Sequence, residues 1–254
     1  MKQILWATLV VALITSCKDK EEETEKTYGS IKVKFEHFWG HTHTNYNAPK
    51  FALNKDWIHE ASEDTLNFSA LKYYISNVTF TSVTGTLVAE KESYHLIDVN
   101  AANPFEISIK DLPADEYVSI AFIIGVDSTR NVSGAQEGAL SPSNEMFWTW
   151  NTGYRFIVAE GACVKSTGNQ DLVYHLGGFS GANNAINILS FPFGETVTAS
   201  PSATPSVHLE VNVQALWTST FKASENLKIH MPGSKAVIAA DNFAEGFELD
   251  HVHR

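Results

Sequence analysis

Histidine pairs of the form H-x-H are the residues in this chain best suited to bind a metal ion. The chain has ten histidines, and four of them form the pairs His41/His43 and His251/His253. Residues two apart in an extended segment project to the same side, so each pair presents two imidazoles that can share one ion. Imidazole suits copper, zinc, nickel and iron alike, so the spacing selects no metal. The alternative for either pair is a set of exposed histidines without a ligand.

An aromatic stretch at residues 146–161, M-F-W-T-W-N-T-G-Y-R-F-I-V-A-E-G, is the second notable feature. Trp148 and Trp150 are two residues apart and would share one face of an extended segment. Paired aromatics at this spacing usually fill the interior of a sandwich, so a core strand is the simpler explanation. A fold that brings the chain ends together would instead gather the histidine clusters near these tryptophans.

Sequence templates of common enzymes are missing from the chain. It has no G-x-S-x-G elbow, no P-loop and no G-x-G-x-x-G. His59 and Glu60 begin like a zincin helix, but Glu63 occupies the position of the required second histidine. We therefore predict a binding protein rather than an enzyme.

A polar loop at residues 127–144 offers oxygen ligands for a hard cation. Asp127, Asn131 and Glu137 could together hold calcium, although their spacing does not match an EF-hand loop. Calcium is therefore a second, weaker metal prediction.

The segments that must position these residues have the pattern of short β-strands. Residues 31–37 (I-K-V-K-F-E-H) alternate strictly, which puts His37 in line with the buried side of a strand. Further strands are predicted at residues 71–81, 86–89, 93–99, 117–126, 173–178, 186–191 and 206–213, and a short helix at 239–247. This pattern predicts an all-β fold, an antiparallel β-sandwich of the immunoglobulin-like, Greek-key type with long loops.

The charge balance of the chain restricts its partners. With 18 basic and 29 acidic residues the formal net charge is −11, which argues against nucleic-acid binding. An acidic surface can raise the local concentration of cations without selecting one of them. A chain of 254 residues, 44% of them apolar, can form one large β domain.

The N-terminal residues have the pattern of a lipoprotein export signal. Lys2 precedes an apolar run that is shorter than the roughly 20 residues needed to span a bilayer, and L-I-T-S-C at 13–17 resembles a bacterial lipobox. We predict a signal peptide at 1–16, an acidic tether at 17–30 that begins with lipidated Cys17, and one domain at 31–254. The lipid would be the only membrane contact. Cys163 then has no disulfide partner and is expected to be buried.

Several motifs along the chain resemble those of the MbnP-like copper-binding family, in the family's order. They are F-E-H (35–37), Y-Y-I-S-N (73–77), Y-H-L-I-D (94–98), G-V-D-S-T-R-N (125–131), G-A-L-S-P (138–142), M-F-W-T-W-N-T-G-Y (146–154), E-G (160–161), H-L-G-G (175–178) and D-N-F-A-E-G-F-E-L-D-H-V-H (241–253). The resemblance covers roughly residues 31–253.

The resemblance implies a β-rich periplasmic or surface protein that binds copper, which we predict as Cu(I) or Cu(II). Together with the lipobox, it predicts a protein of the cell envelope that is lipid-anchored to the outer membrane and faces the periplasm or the surface. It implies a di-haem, MauG-like peroxidase as the partner, which converts a tryptophan, here Trp148 or Trp150, to kynurenine. The implied copper ligands are His37, His175, His251 and His253, and we expect them to converge near the tryptophan. His41 and His43 would supply a second metal site.

Two other functions remain open at this point. A surface interaction module would bind glycan or a protein partner through exposed aromatics such as Trp39, Trp57 and Trp217. A copper enzyme would need an open coordination position and a substrate cleft. For a copper-binding protein, the sequence leaves storage, delivery and regulation open.

Overall fold

Two β-sheets packed face to face form the framework of the protein, as seen in a computed structural model. The structure describes residues 26–40, 48–101, 105–148 and 153–254. The predicted signal peptide, Cys17, His41, His43 and Trp150 lie outside the described residues.

Thirteen strands and two α-helices are assigned in the described residues, together with five short 3-10 helices. In chain order they are β1 Tyr28–Phe38, β2 Asp56–His59, β3 Asp64–Ser82, β4 Leu87–Ala89, β5 Tyr94–Asp98, β6 Glu106–Pro113, β7 Asp115–Ile124, α1 Ser128–Asn131, β8 Ile157–Val164, β9 Gln170–Leu176, β10 Asn187–Ala199, β11 Ser206–Asn212, β12 Lys228–Ile229, α2 Ser234–Ala244 and β13 Phe247–His253.

The smaller sheet has four strands in the order β13-β11-β1-β6. The alternating sequence of strand β1 gives it one apolar and one polar face. Ile31, Val33 and Phe35 are fully buried, and the lysines between them face outward. Strand β11 runs parallel to β1, with Lys34 opposite His208, and pairs antiparallel with β13. The inner face of this sheet is therefore apolar and its outer face is polar.

The larger sheet has nine strands built around β3, which is 19 residues long. Its main path is β10-β7-β3-β8-β9-β12, and the short strands β2, β4 and β5 also pair with β3. Strands β9 and β12 are parallel, as are β1 and β11 in the smaller sheet. The predicted all-β sandwich is confirmed, and these two pairings make its sheets mixed.

Aromatic side chains join the two sheets across the core. The ring of Phe35 in β1 makes edge contacts with Tyr73 in β3 and Phe122 in β7, at centroid distances of 6.4 and 5.9 Å. Helix α2 adds Phe243, whose ring centroid lies 5.3 Å from that of Tyr73. The helix was predicted at 239–247, but it begins at Ser234 and ends before Phe247, which is already the first residue of β13.

A second aromatic cluster overturns one of the expectations from the sequence. Trp39, Trp57 and Trp217, expected to be exposed in an interaction module, are 7%, 4% and 2% exposed. Trp39 stacks on Trp57 at 5.5 Å, and both indole N–H groups donate to backbone carbonyls. Burial gives these rings more contact than a surface position would, so they form part of the core rather than a binding patch.

Two smaller observations complete the fold. Cys163 is buried with a free thiol, as predicted, and burial raises its pKa. No helix within the described residues has the length and apolar character needed to cross a bilayer.

Candidate metal centre

Three histidines from β11 and β13 meet on the outer face of the smaller sheet. His208 lies directly opposite His251, and His253 follows two residues later on the same strand. One ring nitrogen from each of the three lies within 4.8 Å of the other two. The ring centroids are 4.5 Å apart for His208 and His251, 4.8 Å for His208 and His253, and 4.5 Å for His251 and His253. Among the described residues, this histidine cluster is the group of His, Cys, Asp or Glu side chains that could hold a metal ion.

A β-bulge in β13 makes this arrangement possible. Leu249 pairs with Leu209, but the next pair is His251 with His208, so Asp250 is an extra residue on β13. Before the bulge, Phe247 and Leu249 face the core; after it, Val252 does. Strict alternation from Phe247 would have sent both histidines of the strand inward. The extra residue instead turns His251 and His253 outward to join His208.

Carboxylates lie against the Nδ1 atoms of two of these histidines. The Asp250 carboxylate is 2.6 Å from Nδ1 of His251, and the Glu36 carboxylate is 3.7 Å from Nδ1 of His208. Histidines that bind metals usually donate their second N–H to such a carboxylate, which fixes the tautomer and the ring orientation. With its Nδ1 donating to Asp250, His251 presents Nε2, which lies 2.8 Å from Nε2 of His253. Because one proton must lie between these two nitrogens, a metal ion can replace that proton.

His208 is held neutral beside this pair. Burial, followed by the electrostatic effects of His251 and Lys34, lowers the pKa of His208. Its Nδ1 is buried and makes no hydrogen bond. A neutral imidazole keeps the lone pair that a metal ion requires, so at neutral pH His208 is ready to act as a ligand.

A row of glutamates crosses the same face next to the histidine cluster. Glu36 in β1 is opposite Glu210 in β11, which is opposite Glu248 in β13. Partial burial would raise the pKa of Glu36, but hydrogen bonds from Lys50 and Lys34 outweigh it and hold that pKa below its usual value. The row places three carboxylates on the same face as the cluster, and Lys34 and Lys50 pair with that of Glu36.

His37 lies elsewhere, on the inner face of the sheet. Its Nε2 lies 2.9 Å from the hydroxyl oxygen of Tyr73, and its ring centroid is 5.1 Å from that of Phe105. It is 4% exposed, and burial lowers its pKa to about 3. The predicted burial of His37 is correct, but within the described residues it has no second histidine beside it and serves the core.

His175 lies in the other sheet. It is on β9 and faces away from Tyr174, whose ring packs against Trp217 in the core. Its Nε2 lies 2.6 Å from a carboxylate oxygen of Glu160 on the neighbouring strand β8. The expected convergence of His37, His175, His251 and His253 is therefore wrong. The first two lie in separate environments, because strand parity and sheet membership separate them from the cluster.

Trp148 lies in a pocket of its own. It is 2% exposed, and its ring packs so closely on Gly177 that a Cβ there would be 2.8 Å from the indole. This contact explains why residue 177, the first glycine of H-L-G-G at 175–178, has no side chain. A Cβ atom there would displace the indole ring. A cavity of about 300 Å³ lies beside the indole, and Asn131 and Tyr154 are among its lining residues. No histidine is among the described residues that line it.

The predicted calcium ligands have other roles. Asp127 caps helix α1 by accepting from the backbone N–H of Arg130, and its second oxygen accepts from the hydroxyl of Tyr94. Asn131 is fully buried, donates to the carbonyls of Val126 and Asp127, and accepts from the N–H of Tyr154. These hydrogen bonds give the oxygens of Asp127 and Asn131 partners within the protein, and calcium binding at residues 127–144 stays a prediction.

His208 was not among the metal ligands predicted from the sequence, although it belongs to the histidine cluster. It lies in S-V-H-L-E-V-N-V, where alternation places His208, Glu210 and Asn212 on the polar face. That local signal was available, but recognising a ligand also required the pairing of β11 with β13, which joins residues about forty positions apart in the chain.

Comparisons with known proteins complete the description of the site. The sequence model of the MbnP family matches residues 28–234, which include His208 but not His251 or His253. No curated protein matches this chain. Among solved structures, MbnP from Methylosinus trichosporium is similar to it, with 16% sequence identity, a TM-score of 0.47, and an alignment covering 72% of this chain and 76% of the other.

Proposed function

Because this chain belongs to the MbnP family, we propose that it binds copper as its cargo and stores or delivers it in the cell envelope. The observation that carries the proposal is the cluster of His208, His251 and His253, with ring nitrogens within 4.8 Å of one another. Three imidazoles on two paired strands form a metal-binding group that needs little rearrangement. The family resemblance, rather than the donor set, supports copper as the metal.

The donor chemistry fits such a cargo. Imidazole nitrogen binds copper well in either oxidation state that the family resemblance implies. The lowered pKa of His208 favours its neutral form, and the carboxylate of Asp250 can orient the ring of His251.

We place the protein outside the cytoplasm, anchored to the outer membrane through lipid on Cys17 and facing the periplasm or the surface. The support is the L-I-T-S-C motif at 13–17 and the acidic tether that follows it. We also propose that the protein is not an enzyme, which agrees with the lack of recognisable catalytic motifs in its sequence.

The family resemblance further suggests that a di-haem, MauG-like peroxidase converts Trp148 or Trp150 to kynurenine. The cavity of about 300 Å³ beside Trp148 supports this residue as a candidate, since it leaves space for a reshaped side chain. None of the cluster histidines lines that cavity in the described chain. The copper site that we propose therefore does not depend on the modification.

Copper titration of the purified protein tests the proposal. Cu(I) would be added in competition with a chromophoric chelator to measure stoichiometry and affinity. We expect the double variant His251→Ala/His253→Ala to bind one copper ion fewer per chain than the wild type. The matched control is His95→Ala/His230→Ala, which removes two histidines outside the cluster and should leave the stoichiometry unchanged. Equal copper binding by both double variants would refute the site.

A mass measurement tests the modification separately. Peptide mapping of protein from its own host should locate the mass change of a tryptophan-to-kynurenine conversion in the fragment spanning residues 146–155. An unmodified fragment from copper-replete cells would exclude the peroxidase as a partner under those conditions, without affecting the histidine site.

A further inference from the structure

We propose that copper leaves the histidine cluster by direct ligand exchange with an acceptor that approaches from solvent, so that the protein delivers copper rather than sealing it away. This inference rests on the proposed copper site and goes beyond it by naming the route of release. The acceptor is a molecule with nitrogen or sulfur donors that binds the ion before the histidines have dissociated from it.

All three proposed ligands would bind the ion from the same side. His208, His251 and His253 all rise from one face of one sheet, on the paired strands β11 and β13. An ion held by three such side chains lies above the sheet, with all its protein ligands on one side. None of the three histidines would occupy the side of the ion that faces away from the sheet, so an acceptor could approach from that side.

The second argument is the difference in burial among the three ligands. The side chain of His208 is 11% exposed, whereas that of His251 is 42% exposed and His253 is also an exposed residue. Two of the three ligands can therefore be reached by solvent. A sealed storage site would bury all its ligands, because burial removes the path for an incoming donor.

The third argument is the different support of the two strands. Strand β11 lies between β1 and β13, so His208 is fixed from both sides. Strand β13 is the outermost strand of that sheet, and within the described chain it pairs with β11 alone. Edge elements with exposed backbone open at a lower free-energy cost than central strands. His208 can thus hold the ion while His251 and His253 are replaced one at a time.

The exchange is chemically simple. Each step forms one bond between copper and an acceptor donor atom and breaks one bond between copper and an imidazole nitrogen. The oxidation state of copper does not change, and the released imidazole takes up a proton from water or keeps its lone pair according to pH. No additional reactant is required.

Stopped-flow kinetics test this route. The copper-loaded protein is mixed under anaerobic conditions with bathocuproine disulfonate in large excess, and the coloured copper complex is followed. Direct exchange predicts that the observed rate rises in proportion to chelator concentration, about tenfold over a tenfold range. A rate that stays constant over that range means that copper must dissociate first, and it overturns the inference while leaving the copper site intact.

Two variants add a second test, which compares exchange rates between proteins. His253→Ala removes one exposed ligand and should raise the exchange rate about tenfold while copper remains bound through His208 and His251. His95→Ala, outside the cluster, should leave the rate unchanged. An unchanged rate in His253→Ala overturns the inference. If the preceding titration finds no bound copper at all, the proposed function fails instead, so the two failures are distinguishable.

Discussion

His37 and His208 lie on neighbouring strands of one sheet and differ in the face that they occupy. They are 4% and 9% exposed, and the Nδ1 atom of each is buried without a hydrogen bond. His37 points into the core and is held by Tyr73, whereas His208 points outward and meets two other histidines. Burial alone would assign both residues the same role. Here the parity of the strand position, rather than burial, separates a histidine of the core from a histidine of the cluster that we propose as a metal site.

The largest expected effect is the loss of stability in His37→Ala. The substitution opens a cavity and leaves the buried hydroxyl of Tyr73 without its partner, so we expect the free energy of unfolding to fall by about 3 kcal/mol. Copper affinity should stay within about twofold of the wild type, because His37 is not in the histidine cluster. Denaturant unfolding and copper titration of the same sample measure both quantities. Loss of copper binding with unchanged stability would reverse the roles assigned to the two histidines.

The reciprocal substitution, His208→Ala, should act on copper instead. We expect copper affinity to fall about 100-fold, equal to about 2.8 kcal/mol. The metal-free protein should lose no more than about 1 kcal/mol, since the side chain lies on the outer face of the sheet. Competition titration and chemical denaturation check the two parts. A metal-free protein destabilised as strongly as His37→Ala would show that His208 is mainly structural.

The pH dependence of stability sharpens the comparison through His37. Its pKa falls from a usual value of 6.5 to about 3 on folding, so below pH 6.5 the unfolded chain takes up a proton that the folded chain refuses. Above pH 6.5, His37 has no effect on the pH dependence of stability. Between pH 6.5 and about 3, its titration lowers the free energy of unfolding by about 1.4 kcal/mol for each unit that the pH falls. Unfolding measured across this range should show a shallower slope in His37→Gln. An unchanged slope would mean that other groups determine the acid sensitivity.

The smallest effect is expected from Asp250→Asn. The carboxylate orients His251 through Nδ1, and loss of such an orienting group typically weakens metal binding, here by about tenfold. Asp171→Asn, which changes an exposed carboxylate on β9, is the matched control and should bind copper normally. If the two variants behave alike, the contact between Asp250 and His251 does not tune the site.

The sequence predicted most of this architecture because its signals were local. Alternation in residues 31–37 correctly placed His37 on the inner face of β1. The outward position of His251 and His253 could not be predicted in this way. Alternation along β13 would have turned both histidines inward, and only the bulge at Asp250 turns them outward. His208 joins them through a pairing between distant parts of the chain, and its strand lies parallel to β1. Periodicity contains no information on such long-range pairing, so the sequence grouped His251 and His253 with His37 and His175 and left out His208.

The bulge at Asp250 also sets a limit on how the site can change during evolution. It works as a phase shift of one residue, after which every later position of β13 points to the other side of the sheet. Point substitutions would leave that phase intact and could tune the metal preference one ligand at a time. A single-codon deletion at the bulge would turn both imidazoles toward the hydrophobic interior while leaving the H-x-H motif at 251–253 unchanged. Length, rather than composition, is therefore the quantity to compare when the C-terminal strand of a related chain is examined for this site.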